Sequence, residues 1–253
     1  FLDNLLPDNP NVRQAMRERL NASSAGVFDL LDRVDATGGL VFSLSPEPPI
    51  PSPTLRLISD SQIANEIDRI ERTRNYWWDE DSHCRFSLGG AQGKFTLSRV
   101  DGKWYWPDMM LPSTHIVKPK PHDLPEATKV ELATMRLSEL CGIDTPARGE
   151  ITAQHKTAYI AERFDRRLEE GRIVRLRQED FLQALGLPTR DKYDPSADDC
   201  LDLLQRIDAS GSLSYRWLER LAFNTSSANS DAHAKNYSLI LDPASGIRLS
   251  PQY

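Results

Sequence analysis

The residues best suited to chemistry lie near the end of the chain, in Asn229-Ser230-Asp231-Ala232-His233-Ala234-Lys235-Asn236. A carboxylate, an imidazole, an ammonium and a carboxamide fall within six residues, with no apolar period. The stretch therefore reads as a loop leading into the strand-like Tyr237 to Leu241. An Asp followed five residues later by an Asn is the spacing that phosphoryl-transfer enzymes use in a catalytic loop. There the Asp accepts a hydroxyl proton and the Asn holds Mg²⁺. The same letters also describe a polar, Asx-rich turn without chemistry. A hydrolytic metal site built on Asp231 and His233 needs further ligands at metal spacing. Histidines scattered at 83, 115, 122, 155 and 233 supply none.

The elements needed to position such a loop lie upstream. Cys84 to Leu88 has the period of a strand and runs into Gly89-Gly90-Ala91-Gln92-Gly93-Lys94. Phe95 to Val100 and Lys103 to Trp106 flank Asp101-Gly102, a two-residue hairpin signal. A Gly-rich turn between antiparallel strands is how protein kinases cover ATP phosphates, because glycine lets backbone N–H groups approach. Thr114 to Lys118 reads as a strand ending in lysine. Pro125 then opens a helix through Leu140, carrying Glu131 early and stopped by Gly142. Gly-rich hairpin, strand Lys and helix Glu is the order of a kinase N-lobe, where Lys holds the α/β-phosphates and Glu pairs with it.

Next come a hairpin over Arg148 to Thr152 and Thr157 to Ala161, then Glu162-Arg163-Phe164-Asp165-Arg166 as a hinge between lobes. Arg172 to Arg177 reads as a strand. Helices are expected over Gln178 to Leu185, Ala197 to Ile207 and Leu213 to Ser226, and a closing hairpin over Tyr237 to Leu249. Strands first and helices second give an α+β, two-lobed body.

The N-terminal region carries a helix start at Asp8-Asn9-Pro10, and a second helix with Val27, Leu30, Leu31 and Val34 on one face. A strand follows over Leu40 to Leu44. Five prolines in the eight residues 46–53 form a stiff connector. Beyond it lie a helix over Ser59 to Arg74 and the pair Trp77-Trp78, which reads as packing.

The 253 residues are enough for a large core, and 39% apolar with 27% charged residues is an ordinary globular balance. A net charge of −6 argues against binding nucleic acid by bulk charge. Three distant cysteines fit a reducing cytoplasm, and no apolar run approaches the roughly 18 residues of a membrane span. The start at Phe1 and the stop at Tyr253 after a strand lead us to expect a piece of a longer protein.

Six segments, in this order, make the chain resemble the HipA family of serine/threonine-kinase toxins. They are Asp3-Asn4-Leu5-Leu6-Pro7-Asp8, Ser87 to Lys94, Thr114 to Lys118, Glu162 to Arg166, Arg177-Gln178-Glu179-Asp180, and Asp231 to Asn236. The resemblance implies a protein-kinase-like α+β fold with a mainly β N-lobe and a helical C-lobe that is incomplete here. It divides the chain into an N-terminal subdomain (1–80), a kinase N-lobe with the Gly-rich loop (81–162), and hinge plus first C-lobe part (163–253). By the same resemblance Asp231 is the catalytic base and Asn236 a Mg²⁺ ligand. ATP is held by Gly89, Gly90, Ala91, Gln92, Gly93 and Lys94, by Lys118 paired with Glu131, and by the hinge Glu162, Arg163 and Phe164. His233, Ala234, Lys235 and Tyr253 complete that set, and Ser87 is the self-phosphorylated serine whose added charge expels the loop.

The implied partners are a HipB-like antitoxin dimer, operator DNA mainly through that antitoxin, and a protein substrate, which in some family members is an aminoacyl-tRNA synthetase. Two departures stand out. The second metal-binding Asp is expected directly after Tyr253, and Thr225-Ser226-Ser227 is more polar than the run expected beneath a catalytic loop. The other function compatible with these residues is a catalytically inactive module of the same fold that only binds an antitoxin–DNA complex.

Overall fold

The computed structural model describes residues 1–32, 34–43, 46–47, 55–72, 86–87 and 92–253, with only the backbone at 86–87. Gly89, Gly90, Ala91, Cys84, the Trp77-Trp78 pair, most of the proline run and the side chain of Ser87 lie outside the described residues.

The chain opens with helix α1 (Pro10–Leu20), capped by the Asn9 side chain, which accepts from the Asn11 N–H. Pro10 suits the first helical position, where no N–H is needed, and Asn21 ends the helix in a left-handed conformation. A short α2 (Val27–Leu31), strand β1 (Asp35–Ala36), strand β2 (Arg56–Leu57), α3 (Asp60–Arg72) and strand β3 (Phe86–Ser87) follow.

The second helix stops before Val34, and the described part of the expected Leu40–Leu44 strand is irregular. The strand lies earlier, where β1 pairs in parallel with β3. The reason is Gly38, at φ +79°, whose N–H donates to Asp165 Oδ2 at 2.7 Å. A Cβ there would meet the Gln178 backbone at 3.1 Å, so only glycine fits and the chain cannot run on as a strand.

Six antiparallel strands form the main sheet in the order β2-β5-β4-β6-β8-β7, with β4 (Phe95–Val100), β5 (Lys103–Trp106), β6 (His115–Lys118), β7 (Arg148–Ala153) and β8 (Lys156–Glu162). Helix α4 (Ala127–Leu140) enters between β6 and β7. One hydrophobic cluster runs from Leu5, Leu6, Val12 and Met16 through Ile63 and Ile67 to Phe95, Leu97, Val117 and Ile160. The N-terminal residues and the sheet therefore bury their apolar faces in one common core.

After β8 come the hairpin β9 (Arg166–Glu169) and β10 (Arg172–Arg175), then β11 (Arg177–Asp180) and α5 (Phe181–Ala184). The helix expected over 178–185 is thus strand for its first three residues, because β11 pairs with β12 (Ser238–Asp242). Helices α6 (Ala197–Ile207) and α7 (Ser212–Ser226) and the last strand β13 (Gly246–Leu249) complete the second lobe. Its core is a separate cluster containing Phe181, Leu204, Trp217, Tyr237 and Leu249. Among the described residues no helix is long and apolar enough to cross a membrane.

Candidate active site

Two groups of predicted residues come together, one on each lobe. On the N-lobe, β6 ends at Lys118 and α4 carries Glu131 in its second turn. Lys118 Nζ lies 2.5 Å from Glu131 Oε1, with both side chains about a quarter exposed. The pair spans strand and helix, so each fixes the other's rotamer. Lys94 follows the Gly-rich turn and is buried. Burial, reinforced by the charge of Lys118, pushes its ammonium down to about 7, while Asp8 and Glu131 act in the opposite sense. Gln92 ties the same turn to β6 through Nε2 to the Pro119 carbonyl, 3.3 Å.

On the C-lobe, α7 ends at Ser226 and Ala228 turns the chain at φ +55°. Asn224, almost wholly buried, supports the loop that follows. Its Nδ2 donates to Tyr237 Oη at 2.8 Å, and its Oδ1 accepts from Asn229 and Gln252 at 3.3 and 3.1 Å. The polar stretch before the loop is thus underpinned by an amide network instead of an apolar run. Asp231 is 69% exposed at its side chain. Its N–H is held by Asn229 Oδ1 at 3.1 Å, and its carbonyl accepts from the Asn236 carboxamide N–H. Tyr193 Oη donates to Asp231 Oδ1 at 2.6 Å, and His233 Nε2 lies 3.6 Å from the same oxygen. Burial lowers the His233 imidazole below its usual range, against the opposing charge of Asp231.

Three predicted residues are placed otherwise than the motif suggests. The Lys235 ammonium, assigned to the phosphates, is 6% exposed and donates to Asp8 Oδ1 at 2.7 Å and to the Asn4 carbonyl at 3.3 Å. A buried ammonium takes the nearest carboxylate, and that carboxylate comes from the N-terminal segment. Arg163 is expected in the nucleotide hinge, and its guanidinium points into a buried ionic cluster, where it donates to Asp165 Oδ1 and Oδ2 at 3.0 and 2.8 Å. Its N–H is held by the Thr114 carbonyl at 2.8 Å. Ala234 is buried, and its N–H is engaged by the Lys192 carbonyl at 3.1 Å.

Phe164 does stand at the lobe junction, its ring 4.9 Å from that of Tyr253. The Tyr253 hydroxyl donates to the Lys235 carbonyl at 3.1 Å and lies 3.1 Å from Ser238 Oγ, so this residue joins hinge to loop. Glu162 closes β8 with its N–H on the Ala147 carbonyl, 2.8 Å.

Asp8, Lys192, Tyr193 and Asn224 all touch this site without having been singled out for it. Asp8 and Lys235 are 227 residues apart, and no local pattern reveals such a pair.

The residues fit a polyphosphate. Two ammoniums, Lys94 and Lys118, are close enough for one to depress the other, which an anion between them would relieve. They fit one side of a Mg²⁺ site, with the Asn236 oxygen as donor. Among the described residues no group of three His, Cys, Asp or Glu is placed to cage a metal. Mg²⁺ is commonly held by one or two protein oxygens plus phosphate oxygens and water.

Residues 86–253 match the model of the HipA-like C-terminal domain. Over its whole length the chain is 32% identical to the putative kinase Y4mE of Sinorhizobium fredii, covering 62% of that protein. It is 29% identical to the serine/threonine-protein kinase toxin HipA of Shewanella oneidensis, covering 61% of it. The solved complex of the Shewanella oneidensis toxin–antitoxin system, HipA, HipB and operator DNA, contains a chain similar over 100% of this one and 62% of its own length. The TM-score is 0.75 at 28% identity.

Proposed function

The chain belongs to the HipA-like C-terminal domain family, and from that premise we propose that it is the ATP-binding and base-bearing part of a serine/threonine kinase toxin. The single observation that carries this reading is the Lys118–Glu131 pair at 2.5 Å, set on strand and helix in the kinase order. Mg-ATP, when bound, supplies the γ-phosphoryl group and the countercharge for its oxygens.

The chain's own residues position and deprotonate. Lys118, held by Glu131, and Lys94 take the phosphates, and Phe164 with Tyr253 covers the purine. Asn236 faces the cation. Asp231 accepts the proton of the attacking Ser or Thr hydroxyl. Tyr193 already donates to Asp231 Oδ1 and fixes the carboxylate plane, which leaves Oδ2 for the acceptor.

Ser87 is the self-phosphorylation site in this scheme. A phosphate adds about −1.5 to −2 charge at pH 7 beside a turn that holds anionic oxygens, and expels it. The partners we assign are a HipB-like antitoxin dimer, operator DNA through that antitoxin, and a protein substrate such as an aminoacyl-tRNA synthetase, all in the cytoplasm. The net charge of −6 supports indirect DNA contact.

The test is Asp231→Asn in the full-length protein, with transfer from γ-labelled ATP and growth arrest as readouts. We expect loss of both, since removing a general base costs roughly 10²–10⁴ in rate. Retained transfer would sink the assignment.

A further inference from the structure

The motif Asp3 to Asp8 has no part in the reading above, and it lies outside the matched domain, which begins at residue 86. Yet it is fastened to the catalytic-loop side of the molecule. The Asn4 carboxamide donates to the Leu187 carbonyl at 3.0 Å and accepts from the Thr189 hydroxyl. From the other side Arg13 of α1 donates to Asp3 Oδ1 at 2.5 Å and to the Pro7 carbonyl at 2.7 Å, which braces the turn carrying Asp8.

The Asp8 carboxylate then bridges two lysines from separate segments. Oδ1 accepts from Lys235 at 2.7 Å and Oδ2 from Lys192 at 3.0 Å. Each lysine is next in sequence to a residue that touches the proposed base. Tyr193, after Lys192, donates to Asp231 Oδ1, and Asn236, after Lys235, donates to the Asp231 carbonyl. Lys192 also accepts the Ala234 N–H, so both sides of the loop hang from the lysines that Asp8 holds. Burial alone would raise this carboxyl, and the charges of Lys235 and Lys192 overcome that and keep it ionised.

We infer that Asp8 is a positioning residue for the phosphoryl transfer proposed above: it clamps Lys192 and Lys235, and through them sets where Tyr193 and Asn236 hold Asp231. The inference rests on that kinase reading. Without the carboxylate, two poorly solvated ammoniums face each other and separate, carrying Tyr193 and Asn236 with them.

The experiment uses the full-length protein and its Asp8→Asn and Asp8→Glu variants, with self-phosphorylation from γ-labelled ATP followed across an ATP titration. Displacements of the order of an ångström cost roughly 10²-fold in rate, so Asp8→Asn should be about 10–100-fold slower. Half-saturating ATP should change by less than about threefold, because Lys118 and Lys94 keep their places and Lys94 loses only one of the two carboxylate charges that support it. Asp8→Glu, which keeps the charge, should recover most of the rate, whereas general loosening of the lobes would raise half-saturating ATP and would not be rescued. If Asp8→Asn does not fold, Lys192→Gln removes one arm of the clamp and is read the same way.

An unchanged rate in Asp8→Asn beside an inactive Asp231→Asn overturns the inference and leaves the kinase reading intact. If the unsubstituted protein transfers no phosphate, the kinase reading fails instead, and amide hydrogen exchange over residues 231–237 decides about Asp8. Faster exchange in Asp8→Asn than in Asp8→Glu then upholds the clamp, and equal exchange removes it.

Discussion

Two regions of this molecule use the same residue types to opposite ends. At the lobe junction Asp35, Asp165, Arg163, Arg166 and Arg175 form a cluster almost closed to water. Asp35 accepts from Arg166 and Arg175 at 3.1 Å each and from the Ser113 hydroxyl at 2.5 Å. Burial would push both carboxyls up, and the arginines around them overcome this and hold both well below the usual carboxylate range. In the proposed catalytic loop Asp231 lies open, with the neutral Tyr193 hydroxyl donating to its Oδ1. A saturated, dry carboxylate can hold lobes together but has no oxygen left to accept a proton. An open carboxylate with a spare oxygen contributes little to stability and is able to react. What separates structure from chemistry here is how many acceptor positions are already filled.

The largest expected effect breaks that contrast from the buried side. Arg163→Ala takes two guanidinium bonds from Asp165, leaving Arg166 as its remaining countercharge. It also removes a donor from the Ser113 hydroxyl and from the Ala36 carbonyl. Removing one partner of a buried ion pair costs about 3–5 kcal/mol. For a chain of this size that lowers Tm by roughly 6–20 °C. The same thermal scan on Asp231→Asn should move by no more than about 0.5 kcal/mol in stability, as exposed substitutions do. If the two variants melted alike, the division between a holding cluster and a reacting one would collapse.

The sequence reveals these regions unequally. The β4–β5 hairpin was legible because Asp101 and Gly102 both take positive φ, which their residue types favour. Helix α6 was legible from its apolar period, with Ser196 and Asp199 forming a capping box at its start. The turn Glu170-Gly171 has the same pair of positive φ values, yet its flanking strands, Arg166–Glu169 and Arg172–Arg175, are mostly polar and show no alternation. The segment Glu162 to Arg166 reads as a nucleotide hinge, and in the fold its Arg163 and Arg166 also belong to the buried ion cluster around Asp35. The cluster is not visible in the sequence, because Asp35 lies far along the chain from both arginines. Asp8 was legible as the start of α1 and as the end of the Asp3–Asp8 segment, but not as a partner of lysines that stand 184 and 227 residues away.

Lys94 lies between the two extremes, being buried like Arg163 but near enough to Lys118 to feel its charge. Its ammonium is pushed down to about 7, so it is largely neutral at pH 8. A polyphosphate restores the charge, and binding at pH 8 should take up about 0.9 proton per nucleotide. Calorimetry of ATP binding in buffers of differing ionisation enthalpy measures this uptake directly. Affinity should fall about tenfold per pH unit above 7.5, as the protonated fraction does. Lys94→Met should bind weakly at pH 7 and lose this pH dependence. Proton uptake equal to that of unsubstituted protein would show that another group is responsible.

Asp180 gives the smallest and most discriminating case, a buried carboxylate that is only partly satisfied. It caps α5 by accepting from the Gln183 N–H at 2.7 Å, and burial pushes it up to about 6 despite that bond and the charge of Lys235. A folded-state pKa above the unfolded value means that the native protein binds the extra proton. Its contribution is therefore present below about pH 4, is lost as pH rises to 6, and stays lost above that. Asn caps a helix nearly as well as Asp and carries no charge to desolvate. Asp180→Asn should thus be more stable by about 1 kcal/mol at pH 8, with the gain shrinking toward pH 4. Urea unfolding between pH 4 and 8 reads both the gain and its slope. Parallel curves for the two proteins would mean that Asp180 is as fully compensated as Asp35, and that the capping bond, not burial, governs its charge.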